Sequence, residues 1–133
     1  MKRHLVKLSR EHHDALVLAQ RAKRAVPGGE AIILEVRNAF ETEIERHFVA
    51  EESGLLPALA TAGHREIVER TLSEHAMLRE MVSALHSQKP ESLVNFGELL
   101  ASHVRFEERE LFPLAESIFT PEILEEFDRK DSN

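Results

Sequence analysis

Cysteine, tryptophan and tyrosine are all absent from this chain of 133 residues. Without cysteine, the protein has no disulfide, no thiolate metal ligand and no thiol nucleophile. Without tryptophan or tyrosine, it has no redox relay through those side chains. No segment approaches eighteen consecutive apolar residues, so the sequence predicts no membrane span. The first residues also lack an apolar run of signal-peptide length. We therefore expect a cytoplasmic protein.

Positive charge is scarce as well, since the formal net charge is -7 at pH 7. A protein that follows a nucleic-acid backbone needs a basic patch, and the pair Lys23–Arg24 is too small to form one. We therefore expect no nucleic-acid partner. The length fits a single domain over residues 1–133, which can bury a core without disulfides.

Helical periodicity runs through four long segments, and none of them alternates as a strand does. The predicted helices cover roughly residues 3–26, 30–52, 64–88 and 91–111. Helix-breaking residues at 27–29, 53–54, 89–90 and 113 separate or end them. Thr120 and Pro121 predict a short fifth helix, as N-cap and first helical residue. The predicted fold class is all-α: an antiparallel up-down-up-down four-helix bundle with a short C-terminal helix.

Each long helix has an inward apolar stripe that a histidine interrupts near its middle. The four histidines are His12, His47, His75 and His103. In the second and fourth helices a glutamate follows four residues later, Glu51 and Glu107, so it projects to the same side as its histidine. The stripe of the third helix consists of Val68, Leu72, His75, Leu78, Val82 and Leu85.

These polar stripe residues predict a metal site. An ionised carboxylate is costly to bury unless it is paired or binds a metal, and no lysine or arginine lies in line with the stripes. Four neutral imidazoles and two carboxylates carry a charge of minus two. Two divalent ions would bring the total to plus two, which a bridging hydroxide or oxide would lower. Imidazole with carboxylate suits iron, manganese or zinc. A glutamate can bridge two ions about 3.5–4 Å apart. Two alternatives stay open: a structural or storage module with zinc or a single ion, and a metal-free helical interaction protein.

The first helix leaves a choice between two adjacent histidines. His12 continues the apolar stripe, whereas His13 points about 100° away. The pattern favours His12 as the ligand and keeps His13 as the alternative. Four further glutamates lie next to the predicted ligands but rotated off the stripes, where they are either solvated or orient an imidazole N–H. They are Glu11, Glu52, Glu74 and Glu108.

Two eleven-residue stretches of the chain repeat one pattern. Residues 47–57 read HFVAEESGLLP and residues 103–113 read HVRFEERELFP, with five identical positions. Together with REHHDAL before them and SEHAMLR between them, they resemble the hemerythrin-like, or HHE cation-binding, family. The resemblance covers roughly residues 3–115. It implies an antiparallel four-helix bundle around a non-haem di-iron centre, with two iron ions joined by an oxo or hydroxo bridge.

The resemblance also implies a ligand set and a ligand. Carried over by motif, the metal ligands are the histidine of REHHD, His47, Glu51, His75, His103 and Glu107. Family members are associated with oxygen, nitric oxide or peroxide, in redox, sensing or iron-handling roles, so we expect a small diatomic or peroxide partner. Oxygen carriers use a fifth histidine one turn after the third helix's histidine, where this chain has Arg79. An arginine cannot ligate, so the resemblance implies a more open site.

Overall fold

The computed structural model describes residues 4–24, 30–86 and 89–130. Within these ranges all the regular secondary structure is helical. Helix α1 spans Val6–Lys23, α2 spans residues 30–61, α3 spans Arg65–Ser83, α4 spans residues 90–118 and α5 spans Pro121–Lys130. The predicted fold class is confirmed: α1 to α4 form the antiparallel bundle, and α5 is the short C-terminal helix.

Helices α2 and α4 are longer than the sequence predicts, because wide π-helical turns interrupt them without ending them. Helix α2 consists of Glu30–Ala39, a π turn Phe40–Ile44, Glu45–Ala50, a second π turn Glu51–Leu55, and Leu56–Thr61. Helix α4 consists of Pro90–Phe106, a π turn Glu107–Leu111, and Phe112–Ile118. We predicted ends near residues 52 and 111, and both predictions are wrong.

The physical reason lies in the two prolines, which we expected to stop these helices. A proline inside a helix lacks an N–H and clashes with the carbonyl four residues earlier. Here the residue before each proline donates its N–H five residues back, from Leu56 to the Glu51 carbonyl and from Phe112 to the Glu107 carbonyl. Pro57 and Pro113 then lie in the first turn of a new α-helical segment, where proline is tolerated.

Helix α3 is shorter than predicted, since it ends at Ser83. Beyond it the chain turns so that Leu85 enters the core with 4% of its surface exposed. The Arg37 guanidinium donates a hydrogen bond of 2.8 Å to the Leu85 carbonyl, which satisfies that acceptor outside the helix. The predicted break at residues 27–29 and residues 87–88 lie outside the described residues.

Helix α5 closes the end of the bundle where α1 begins. Its N-terminus has the predicted cap, because the Ile123 N–H donates to the Thr120 hydroxyl at 3.3 Å. Near its other end, the carboxylate of Asp128 accepts the N–H groups of Lys7 and Leu8, each at 2.9 Å. The Asp128 side chain of α5 thus caps the first turn of α1, where the backbone N–H groups have no partner within their own helix.

The core has two apolar clusters, one on each side of the four stripe histidines. One cluster contains Phe40, Phe48 and Phe96, and the other contains Leu8, Leu55, Leu111 and Phe112. Within the described residues the inward stripes are confirmed with one exception in α3: Leu72 is 42% exposed, and Thr71 is fully buried in its place. None of the helices in the described ranges combines the length and the apolar character needed to cross a bilayer.

Candidate metal centre

All six residues that the sequence predicts as metal ligands are buried, and the bundle brings them together between the two apolar clusters. His12 comes from α1, His47 and Glu51 from α2, His75 from α3, and His103 and Glu107 from α4; the most exposed of them is His47 at 5%. His13 is exposed. The stripe position therefore identifies the inward histidine of α1 as His12.

The six side chains form two groups of four that share both glutamates. The first group is His12, His47, Glu51 and Glu107, and the second is Glu51, His75, His103 and Glu107. Within each group, one nitrogen or oxygen atom per residue lies within 4.8 Å of every other. Each group is therefore compact enough for all four of its donor atoms to contact one ion.

Each glutamate turns a different oxygen toward each group. The Nε2 atom of His47 lies 3.1 Å from Oε2 of Glu51, while Nε2 of His75 lies 3.1 Å from Oε1 of the same carboxylate. Glu107 behaves alike: its Oε1 lies 2.8 Å from Nε2 of His12, and its Oε2 lies 3.0 Å from Nε2 of His103. The two carboxylates thus stand between the groups with one oxygen facing each.

Most of these close approaches are not hydrogen bonds. Whether a metal fits the site can therefore be tested by asking which buried donor atoms lack a partner. Six inward-facing atoms are buried without a hydrogen-bond partner among the described residues: Nε2 of His47, His75 and His103, both carboxylate oxygens of Glu51, and Oε2 of Glu107. Two ligands at right angles on one ion lie about 3 Å apart, given metal–ligand bonds of about 2.0–2.2 Å. The donor atoms face common centres at such spacings, so the residues fit a bound metal.

The outer nitrogen of every histidine in the site is held by a further carboxylate. Nδ1 of His47, His75 and His103 lies 2.8 Å from Glu11, Glu52 and Glu74 respectively. Nδ1 of His12 lies 2.6 Å from Glu108, which also accepts the Ser9 hydroxyl at 2.8 Å. Such partners fix the orientation of an imidazole and leave its other nitrogen free to bind a metal. Each glutamate adjoins a predicted ligand in the sequence, but sequence alone did not show which imidazole it holds.

These four contacts form a closed ring around the bundle. The glutamate of α1 holds the histidine of α2, that of α2 holds the histidine of α3, that of α3 holds the histidine of α4, and that of α4 holds the histidine of α1. The orientation of each imidazole therefore depends on the neighbouring helix and not on its own.

Arg79 also has a structural role that its sequence position did not reveal. Its guanidinium donates to Glu52 at 2.8 Å and to Glu45 at 2.7 Å. Burial by itself raises the pKa of Glu52, but His75 and Arg79 outweigh this and lower it to about 2. Where an oxygen carrier has a further ligand, this chain has an arginine that keeps the carboxylate partner of His75 charged and in place.

The charged side chains of the site interact strongly with one another. Burial alone lowers the pKa of each imidazole, but the surrounding carboxylates outweigh burial. They raise the pKa of His75 to about 10 and that of His103 to about 9, and they also raise the pKa values of His12 and His47. Burial alone raises the pKa of Glu107, whereas the nearby charge of His103 lowers it well below its usual range. Because the carboxylates raise these imidazole pKa values, a metal ion must compete with protons for the imidazole nitrogens.

Aromatic rings close two sides of the site. Phe48 stacks on the His75 ring with centroids 3.8 Å apart, and Phe112 stacks on the His12 ring with centroids 4.9 Å apart. These contacts hold the imidazole planes and keep water from those faces.

Comparison with known proteins agrees with this geometry. The family model described as the hemerythrin HHE cation binding domain matches residues 4–115. No curated protein and no solved structure matches the chain. The matched segment contains all six predicted ligands, and the buried histidine and glutamate groups fit a metal site. The chain belongs to the hemerythrin HHE cation-binding domain family.

Proposed function

We propose that residues 1–133 act as one domain that holds a non-haem di-iron centre and binds or reacts with oxygen, nitric oxide or peroxide. The ligands in this proposal are His12, His47, Glu51, His75, His103 and Glu107. The observation that carries it is the pair of four-atom groups joined by Glu51 and Glu107, each of which offers one oxygen to each group. Such carboxylates are suited to bridge two ions.

The protein would supply three things to this centre. The four imidazoles offer Nε2 in fixed directions, because carboxylates hold each Nδ1. The two shared glutamates would compensate part of the positive charge of the ions. The stacked rings of Phe48 and Phe112 exclude water from two faces. Bound iron would supply electrons and open coordination positions for the small ligand.

A second candidate function is a zinc-binding or mononuclear module without redox chemistry. Each group contains four donors, which is the number that a structural zinc site uses. Elemental analysis of protein purified without added metal separates the two candidates. About two irons per chain, with absorption bands of oxo-to-iron charge transfer, supports the di-iron proposal. A colourless protein with zinc supports the second candidate.

Adjacent residues of α1 provide a matched pair of variants. His12→Ala removes a buried group that faces Glu107 at 2.8 Å, whereas His13→Ala changes an exposed residue one position away. We expect the first variant to lose at least one metal ion per chain and the second to keep the wild-type metal content. Equal metal content in the two variants, both folded by circular dichroism, contradicts the assignment of His12.

A further inference from the structure

A cavity of about 330 Å³ lies between α1 and α2, with α4 at its base. Three of the four site histidines, His12, His47 and His103, line it. The only members of the proposed ligand set that are more than 1% exposed are His12, at 4%, and His47, at 5%. The site therefore has its contact with solvent on the side of this cavity.

In the part of the chain that the structure describes, the other sides of the site are closed. His75, Glu51 and Glu107 are fully buried, and phenylalanine rings lie on His75 and His12. Among the described residues, the route that the structure offers to the inward nitrogen atoms is the cavity between α1 and α2.

The cavity is much larger than a diatomic molecule requires. An apolar cavity of roughly 150 Å³ holds a benzene molecule, and pockets for small organic ligands begin at about 300 Å³. With about 330 Å³, this cavity has room for a ring-sized organic molecule and not only for oxygen or nitric oxide.

The chemistry of the walls differs from that of the rim. The inner walls include the apolar side chains of Leu18, Ile44, Leu100 and Val104. The rim is charged, with three carboxylates against two guanidinium groups: Asp14, Glu35, Glu43, Arg21 and Arg46. Because carboxylates are in excess at the rim and the chain has a net charge of -7, the entrance disfavours an anion. The walls favour an apolar body, and the histidine end favours one polar head.

We propose that this cavity binds a neutral organic molecule whose ring-sized apolar body lies against these walls and whose hydroxyl or hydroperoxide head faces His12 and His47. The inference deepens the proposed function, on which it rests for what the head meets at the inner end. It assigns the site a ligand class larger than the diatomic molecules.

Binding of 2-naphthol to the full chain tests this inference. The protein contains no tryptophan or tyrosine, so the fluorescence of the probe can be followed without a background from those residues. The titration is made with metal-free protein and repeated with iron-loaded protein, with 2-naphthoate as the anionic comparator. We expect saturable binding of one 2-naphthol per chain. We expect the affinity for 2-naphthoate to be lower by about tenfold or more.

Two alanines of α2 provide a matched pair of variants that locates the probe. Ala39 and Ala58 are both half-buried, but Ala39 lines the cavity and packs on one apolar cluster, whereas Ala58 packs on the other. Ala39→Phe fills the cavity and is expected to weaken 2-naphthol binding about tenfold or more, while Ala58→Phe leaves it unchanged. Ala39→Leu serves as the milder variant if Ala39→Phe does not fold.

The outcomes separate this inference from the di-iron proposal. Selective loss of binding in the Ala39 variants supports the cavity, and it does so even if the purified protein contains no iron. Iron-loaded protein that binds no 2-naphthol, or that binds it equally in both alanine variants, overturns the inference and leaves the di-iron proposal standing. Binding of 2-naphthoate as tight as that of 2-naphthol overturns the assignment of a neutral ligand.

Discussion

Removing the carboxylate partner of one imidazole should weaken metal binding while leaving all six proposed ligands in place. Glu52 is the best position for this change. Its Oε2 lies 2.8 Å from Nδ1 of His75, and the same carboxylate also accepts from Arg79. Glu52→Ala leaves Nδ1 of His75 without its partner, so the ring loses both its fixed orientation and the negative charge behind it.

The size of the effect follows from the contact. A hydrogen bond to a charged group contributes about 1.5–3 kcal/mol. The side chain of Glu52 is 24% exposed, so solvent screening places the value at the lower end of that range. About 1.5 kcal/mol corresponds to roughly a tenfold loss of affinity. Removing a carboxylate that orients a metal-bound histidine costs about 10–100-fold in metal affinity, and the lower end of that range is the same value.

Glu45 provides the matched control. Its side chain is 35% exposed, and it also accepts from Arg79, at 2.7 Å, but in the described residues it holds no imidazole. The assay is a titration of metal-free protein with ferrous iron against a chelator of known affinity, after thermal unfolding has shown that both variants are folded. We expect Glu52→Ala to bind the metal about tenfold more weakly and Glu45→Ala to bind it as the wild type does. Equal affinities in the two variants refute the role given to this carboxylate.

Two further predictions concern stability. The pKa values of His75 and His103 rise from 6.5 to about 10 and about 9 in the metal-free site, so their stabilising contribution is complete below pH 6.5 and is lost as the pH rises through 9 and 10. The Tm of metal-free protein should therefore fall between pH 6.5 and 10. The Tm of metal-loaded protein, whose imidazoles are neutral, should not fall in this range. Parallel curves of Tm against pH for the two forms contradict this prediction. The second concerns Gly97→Ala, which places a Cβ 2.6 Å from the carbonyl of Ala19 where α1 and α4 cross. Overpacking costs about 1–3 kcal/mol, which exceeds the ~1 kcal/mol that alanine adds to the stability of a helix, so urea unfolding should show a net loss in the free energy of unfolding. In the control variant Gly54→Ala, the new Cβ meets mainly the flexible end of a lysine side chain, so this variant should lose less stability. An equal loss in the two variants contradicts the argument.

Helical periodicity was sufficient to predict the inward positions of the proposed ligands. A stripe with period 3.6 defines which face of each helix is buried, and the structure buries His12 and exposes His13 because only His12 lies on that face. Leu72 shows the limit of this reasoning. It fits the period, but the third helix turns Thr71 inward, and the Thr71 hydroxyl satisfies itself by donating to the Ile67 carbonyl at 2.7 Å.

Helix ends were harder to predict, because proline has opposite meanings in different contexts. In the sequence, Pro57 and Pro113 predict helix ends, yet each follows a π turn that begins at a proposed ligand, Glu51 or Glu107. Sequence patterns identify a proline, but they do not show whether a wide π turn before it relieves the clash with the carbonyl four residues earlier. The repeated motif therefore includes a turn geometry as well as a donor pair.

The ring of carboxylates explains a regularity in the sequence that has no meaning within a single helix. In α1 and α3 the ring glutamate precedes the histidine by one residue, and in α2 and α4 it follows by five: Glu11–His12, His47–Glu52, Glu74–His75 and His103–Glu108. One residue back is a rotation of about 100° in one sense, and five residues forward is a net rotation of about 140° in the other. Antiparallel neighbours viewed from one end of the bundle have opposite senses, so both offsets turn the glutamate to the same side. Both also move it toward the same end, by about 1.5 Å and about 7.5 Å. Alternation of these offsets is therefore what a closed ring in an up-down-up-down bundle requires. Equal offsets in all four helices would direct the glutamates of alternate helices in opposite directions and leave imidazoles without partners.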